Sequence, residues 1–311
     1  MPEFRKLIGF GKSSLVVSLP KDWVVKNHLK KGDVITVDEA ADQLHLSTQD
    51  KPIEAQERTA QIRTENKAFE KIKSEIVAAY LSGHNVIEVR GENLKEHAQK
   101  VKEVLQNFAG IELLEQDSRK IVAKDLLDLS EISIDTIIRR VDIILRSMFQ
   151  DSIGQENTES IYSRDKDINR LVWLVRRVVR LALDDHRIAK KLHATNLQLL
   201  NQHELVRWME LAGDQIKRVN RLFDELPAKY KYREELTDMF RKIEMAYLES
   251  MKAYHTKNIE RAFELNISHE QMMNDLRKLT QSHTVYPASR IVQKLINLSH
   301  DIKNVARVAI C

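Results

Sequence analysis

The stretch Leu205-Val206-Arg207-Trp208-Met209-Glu210-Leu211-Ala212-Gly213-Asp214-Gln215-Ile216-Lys217-Arg218-Val219-Asn220-Arg221-Leu222-Phe223-Asp224-Glu225-Leu226 decides the reading of this chain. Its apolar residues Leu205, Met209, Ala212, Ile216, Val219 and Phe223 step by four, three, four, three and four, which is one stripe of an α-helix. Glu210 and Asp214 lie four apart, opposite that stripe. Shifted by 86 positions without a gap, the stripe returns as Ile291, Leu295, Leu298, Ile302 and Val305, and Lys217 and Arg221 return as Lys303 and Arg307. A helix is written twice.

The duplication extends upstream. Ile134, Ile137, Ile138, Val141, Leu145 and Phe149 return 102 positions later as Leu236, Met239, Phe240, Ile243, Tyr247 and Met251. Asp165, Ile168, Asn169 and Leu171 return 105 positions later as Glu270, Met273, Asn274 and Leu276. The offsets of 105 and 86 make the connection before the third helix 19 residues longer in the first copy. Each copy is therefore a three-helix unit whose apolar stripes are buried by pairing with the other copy, giving six helices.

Totals agree with a mainly helical chain. With 311 residues the length suits about two domains. Only 8 Gly and 5 Pro interrupt it, 31% of residues are charged, and a hydrophobic share of 42% suffices for a packed core. The net charge is only +4, so attraction to nucleic acid requires local clustering. The single cysteine, Cys311, excludes an internal disulfide and a thiolate cluster, which suits a reducing cytoplasm. The apolar segment Leu171–Leu183 is broken by Arg176, Arg177 and Arg180 and is no membrane span. Glu3, Arg5, Lys6 and Lys12 stand where a signal peptide needs an apolar run.

Residues 4–49 read as short strands at Leu15–Val17, Val34–Val37 and Leu44–Leu46, with a short helix over Lys21–Leu29 behind Pro20. So small a set makes a thin core, usually resolved by pairing with a second copy. Met1–Gly32 carries seven Lys or Arg against Glu3 and Asp22, a balance of +5, whereas Asp33–Asp50 holds Asp33, Asp38, Glu39, Asp42 and Asp50 and no cation. One half of the module is thus basic, either as a solvated face or as a phosphate-contacting surface. Gly11-Lys12-Ser13 imitates the end of a phosphate-binding loop, but that loop needs glycine where Lys6 stands.

The order Gly11-Lys12-Ser13, strand, Leu19-Pro20, short helix, Gly32-Asp33, strand resembles the AbrB/SpoVT swapped-hairpin family. The resemblance implies an interlaced β homodimer that binds DNA through basic residues near the short helix and first strand, here Arg5, Lys6, Lys12, Ser13, Lys21 and Lys26. Val24 and Val25 replace the paired arginines of better-known bacterial members, which weighs against base-specific reading.

Residues 50–66 read as a linker or the foot of a helix. Helices over Phe69–Leu81 and Leu94–Phe108, and strands over Val86–Val89, Ile111–Leu114 and Lys120–Ala123, form a small α/β unit without a phosphate loop, metal-ligand spacing or nucleophile elbow. A spacer or dimerisation role is the expectation for it. The expected domains are 1–50 (β module), 51–130 (α/β linker unit) and 131–311 (helical, with repeats over 132–227 and 232–311).

The repeated [Asp/Glu]-x-x-[Ile/Met]-Asn-x-Leu and Glu210-Leu211-Ala212-Gly213-Asp214 resemble PhoU, a regulator of phosphate uptake built from two three-helix repeats. With the first module, the chain looks like the archaeal group that fuses an AbrB-type domain to a PhoU-type one. The resemblance implies a negative regulator of phosphate uptake, no active site, and a protein partner such as a phosphate ABC-transporter ATPase or a sensor kinase. It also implies surface sites where acidic pairs hold divalent or ferric ions.

Mapped onto this chain, the metal positions are Asp165, Asn169, Glu210 and Asp214 in the first copy. In the second they are Glu270, Asn274, Ile296 and His300. Acids at i and i+4 repel, and a hard cation reverses the sign. Three carboxylates and an amide suit one divalent ion of the Mg, Mn, Zn or Fe class rather than a cluster, and no cofactor is required. The preferred alternative takes Glu210 and Asp214 as exposed acids answering Arg207, Lys217 or Arg218, and His300 as an exposed polar residue. Two other functions compete. A helix-bundle metal oxidase needs paired Glu-x-x-His, and the chain has none. An adaptor that contacts a transporter or kinase without binding DNA is favoured by Val24 and Val25 and opposed by the +5 balance.

Overall fold

The computed structural model describes residues 3–40, 43–48, 57–128, 131–153 and 158–310. The chain divides into two units, Met1–Gln56 and Glu57–Cys311. Among the described residues it is mainly helical, 63% in ten helices.

In the first unit β1 (Ile8–Phe10) pairs antiparallel with β2 (Ser14–Val16) across a turn where Gly11 takes φ 69°. Helix α1 (Lys21–Lys26) follows Pro20. It ends three residues short of the expected Leu29 because His28 turns left-handed (φ 54°) and the Leu29 N–H bonds back to the Val24 carbonyl. Strand β3 (Ile35–Ala40) pairs antiparallel with β4 (Gln43–Thr48). No described residue of this unit is buried, and Phe4, Leu15 and Val37 are 97%, 67% and 54% exposed. Two separate hairpins cannot by themselves cover their apolar side chains. Of the acidic set, Asp42, Asp50 and the side chain of Asp38 lie outside the described residues, as do linker positions 50–56.

The second unit opens with β5 (Thr59–Arg63), α2 (Phe69–Leu81), β6 (Val86–Arg90), α3 (Leu94–Gln106), β7 (Ile111–Gln116) and β8 (Lys120–Asp125). They form a sheet of order β5-β6-β8-β7, parallel only between β5 and β6. β5 corrects the reading of 50–66 as linker. It is an edge strand of which only Ile62 is buried, so alternation barely shows in its sequence. Ile72, Ile76, Tyr80, Val101 and Leu105 from the two helices, with Phe108 just beyond α3, cover the sheet.

Then come α4 (Ile134–Asp151), α5 (Thr158–Asp184), α6 (His186–Lys191), α7 (Asn196–Glu225), α8 (Arg233–Thr256), α9 (Ile259–Ser282) and α10 (Ala288–Val308). The longer connection of the first copy holds the end of α5 and the short α6. The duplicated helices α7 and α10 pack against each other, with α4 and α5 against α7 and α8 and α9 against α10. Leu205, Met209, Ala212, Ile216 and Val219 are all buried, and so are Ile291, Leu295, Leu298, Ile302 and Val305. The start of α7 is set by a capping box between Thr195 and Gln198, which satisfies two free N–H groups reciprocally.

Candidate functional site

Two surfaces bear on function. On the first unit Arg5, Lys6, Lys12, Ser13, Lys21 and Lys26 are exposed. Arg5 is engaged by Glu3 and reaches Ser18 Oγ at 3.4 Å. The four lysines have no ion pair among the described residues, so their charge is free for an external anion. Gly11 bends the chain between β1 and β2 and places Lys12 at the hairpin tip, while Lys21 and Lys26 lie at the two ends of α1.

The second surface is the seam between α5 and α7. The structure does bring Asp165, Asn169 and Asp214 together, but around an ammonium group. Lys217 Nζ stands 2.5 Å from Asp165 Oδ2 and 2.8 Å from Asp214 Oδ1. Arg218 reaches the other Asp214 oxygen at 3.3 Å, and Asn169 Nδ2 donates to Asp165 Oδ2 at 3.4 Å. Glu210 is held by Arg176 of α5 at 2.6 Å, not by Arg207. These acids are also less exposed than expected. Asp165 is buried, and Glu210 and Asp214 are half-buried, because α5 covers that side of α7.

Burial pushes the Asp165 and Glu210 carboxyls up, against the pull of Lys217 and Arg176 respectively. Burial alone would lower Lys217, but its hydrogen bonds to Asp165 and Asp214 raise it overall. The seam is thus a charge-balanced network of three carboxylates and three cations. Lys217 already supplies the positive charge that a metal would bring, so the residues present do not fit a metal ion.

The second copy departs further. Glu270 and His300 are exposed, Asn274 accepts from Arg277 at 3.0 Å, and Ile296 packs against the core. The His300 ring lies 5.4 Å from that of His269, a buried histidine pushed down to about 4 by desolvation and then by Lys303 and His300. The positive charge of Lys303 beside this pair disfavours a cation. Among the described residues no group of three or more His, Cys, Asp or Glu side chains converges as a metal would require.

Sequence reasoning missed one residue of a third constellation. Arg177 is 2% exposed, and its Nη2 lies 2.7 Å from Asp125 Oδ2. It donates to the carbonyls of Tyr80 at 2.9 Å and His84 at 3.3 Å, with its guanidinium 4.5 Å from the Tyr80 ring centroid. It joins α5 to α2 and β8. The one signal for it was a charge inside an apolar run. No described helix is long and apolar enough to cross a membrane.

Compared with known protein families, curated proteins and solved structures, the chain matches none.

Proposed function

We propose that the chain is a phosphate-responsive regulator, a negative regulator of phosphate uptake. In this reading it binds DNA as a homodimer through residues 1–50 and a transporter ATPase or sensor kinase through the duplicated helices. The support for the first half is a single observation: a small β module in which no described residue is buried, and whose apolar side chains are exposed together with lysines that have no ion pair among the described residues. Such a module gains a core when a second copy interleaves with it, and doubling sums the basic charge. The support for the second half is the pair of buried stripes on α7 and α10, which fits a PhoU-type pair of three-helix repeats. The reading assigns no catalytic residue, and it needs no metal at the α5–α7 seam.

The test is gel shift and footprinting with phosphate-transport promoter DNA at physiological salt. Retention no better than for random duplex removes the transcriptional part. A second reading, an adaptor that does not bind DNA, draws on Val24 and Val25. Charge reversal at Lys12 and Lys21 separates the two, since a regulator loses DNA binding and an adaptor keeps partner binding unchanged.

A further inference from the structure

Helix α2 presents two stripes to its surroundings. Ile72, Ile76, Ala79 and Tyr80 are buried in the α/β core. The other stripe, Glu70, Lys73, Ser74, Val77 and Leu81, faces Trp173 and Arg180 of α5 across a cleft of about 530 Å³. Trp173 and Arg180 are two turns apart on one face of α5. The wall formed by Val77 and Leu81 is apolar, while Lys73 and Arg180 are exposed and form no ion pair among the described residues. Trp173 is fixed in place. Phe108 meets it edge-on at 6.2 Å, and Arg176 lies 5.1 Å from its centroid, itself held by Glu210.

We infer that this cleft binds a nucleotide, its base against the apolar wall of Val77 and Leu81 beside Trp173 and its phosphate at Lys73 and Arg180. A bare inorganic phosphate gains nothing from the apolar wall. A neutral aromatic leaves both cations unanswered. A nucleotide answers each: the apolar wall takes the flat face of a base, and an ammonium and a guanidinium suit phosphate oxygens. Glu70 on the same stripe is an acceptor for an exocyclic amino group, and Ser74 and Ser82 add hydroxyls. Because α2 belongs to the α/β unit and α5 to the helical body, a ligand here gives the middle unit a sensing role. The inference does not depend on the DNA-binding reading.

Calorimetric titration of the full chain with AMP and ADP, alongside inorganic phosphate and adenosine, tests it. Both nucleotides are expected to bind once per chain, with phosphate and adenosine each about tenfold weaker or worse. The double variant Lys73→Ala/Arg180→Ala should weaken AMP by about tenfold or more without shifting the thermal midpoint, and Lys95→Ala on the far helix should leave it unchanged. No saturable binding of either nucleotide at millimolar concentration overturns the inference. So does phosphate binding as tightly as AMP, or AMP binding to the double variant as to the parent, which would put the nucleotide elsewhere, for instance on the basic first unit.

Discussion

Arg177 and Asp301 show opposite ways of burying charge. Arg177 is matched by Asp125 and two carbonyls, so removing one partner leaves an uncompensated buried charge, which typically costs about 3–5 kcal/mol. Asp125→Ala should therefore destabilise the chain by about that much in urea titration. Replacing both residues by apolar ones of similar size, Arg177→Met with Asp125→Leu, should recover most of the loss. Asp301 on α10 is 8% exposed and has no ion pair among the described residues; burial, and then Asp214, push its carboxyl from 3.8 to about 7. Here the folded state holds its proton more tightly than the unfolded chain does, so between those two values the native state binds more protons and stability falls as pH rises. The contribution is fully present below about pH 4 and gone above about pH 7, a span on the order of 4 kcal/mol. Asp301→Asn should flatten that part of the profile. Urea midpoints of parent and variant that run parallel from pH 4 to pH 8 would rule this out.

At the scale of elements, the two first helices of the copies are tied by one buried carboxylate. Asp142 of α4 accepts from Tyr247 Oη of α8 at 2.9 Å and from both Nε and Nη2 of Arg146, at 3.0 and 2.8 Å. Tyr247→Phe should cost about 1.5–3 kcal/mol, the worth of a hydrogen bond to a charged group, and Asp142→Ala more, because it strands the buried Tyr247 hydroxyl. A double-mutant cycle measured by denaturant midpoints should return a coupling near the Tyr247→Phe value. Periodicity reads some elements well and others poorly, for physical reasons. α2 is legible to the residue, since its buried stripe is regular and Ser82-Gly83 stops it. The start of α7 is not, because Leu197 and Leu200 ahead of the stripe are exposed and the boundary is fixed by the Thr195–Gln198 cap. The half-burial of Glu210 is hidden from the sequence for a related cause. A single stripe identifies one packed face, but α7 is covered by α4, α5 and α10, so Gly213, Gln215 and Asn220 are buried as well. No one-helix pattern shows that Arg176 and Lys217 will meet Glu210 and Asp165 there.

At the scale of the whole molecule, the proposed pairing of the unit Met1–Gln56 with a second copy predicts the oligomeric state. Its exposed Leu15, Val37 and Leu44, at 67%, 54% and 67%, are too many for a stable isolated module of this size. The full chain should sediment as a dimer, and Leu15→Asp with Val37→Asp should make it monomeric while leaving the far-UV helical signal intact. DNA affinity should then carry the signature of a doubled basic face. With about six phosphates neutralised per dimer, log affinity against log salt should have a slope of about −5. Lys12 is exposed and free of ion pairs among the described residues, so if the proposed DNA-binding reading holds, Lys12→Ala should remove one phosphate contact per protomer and flatten the slope by about two. Arg5, partly neutralised by Glu3, should matter less. A dimer whose DNA affinity is insensitive to salt, or a Lys12→Ala variant with the parent slope, would move the contact surface away from this module and leave the β dimer as an assembly device alone.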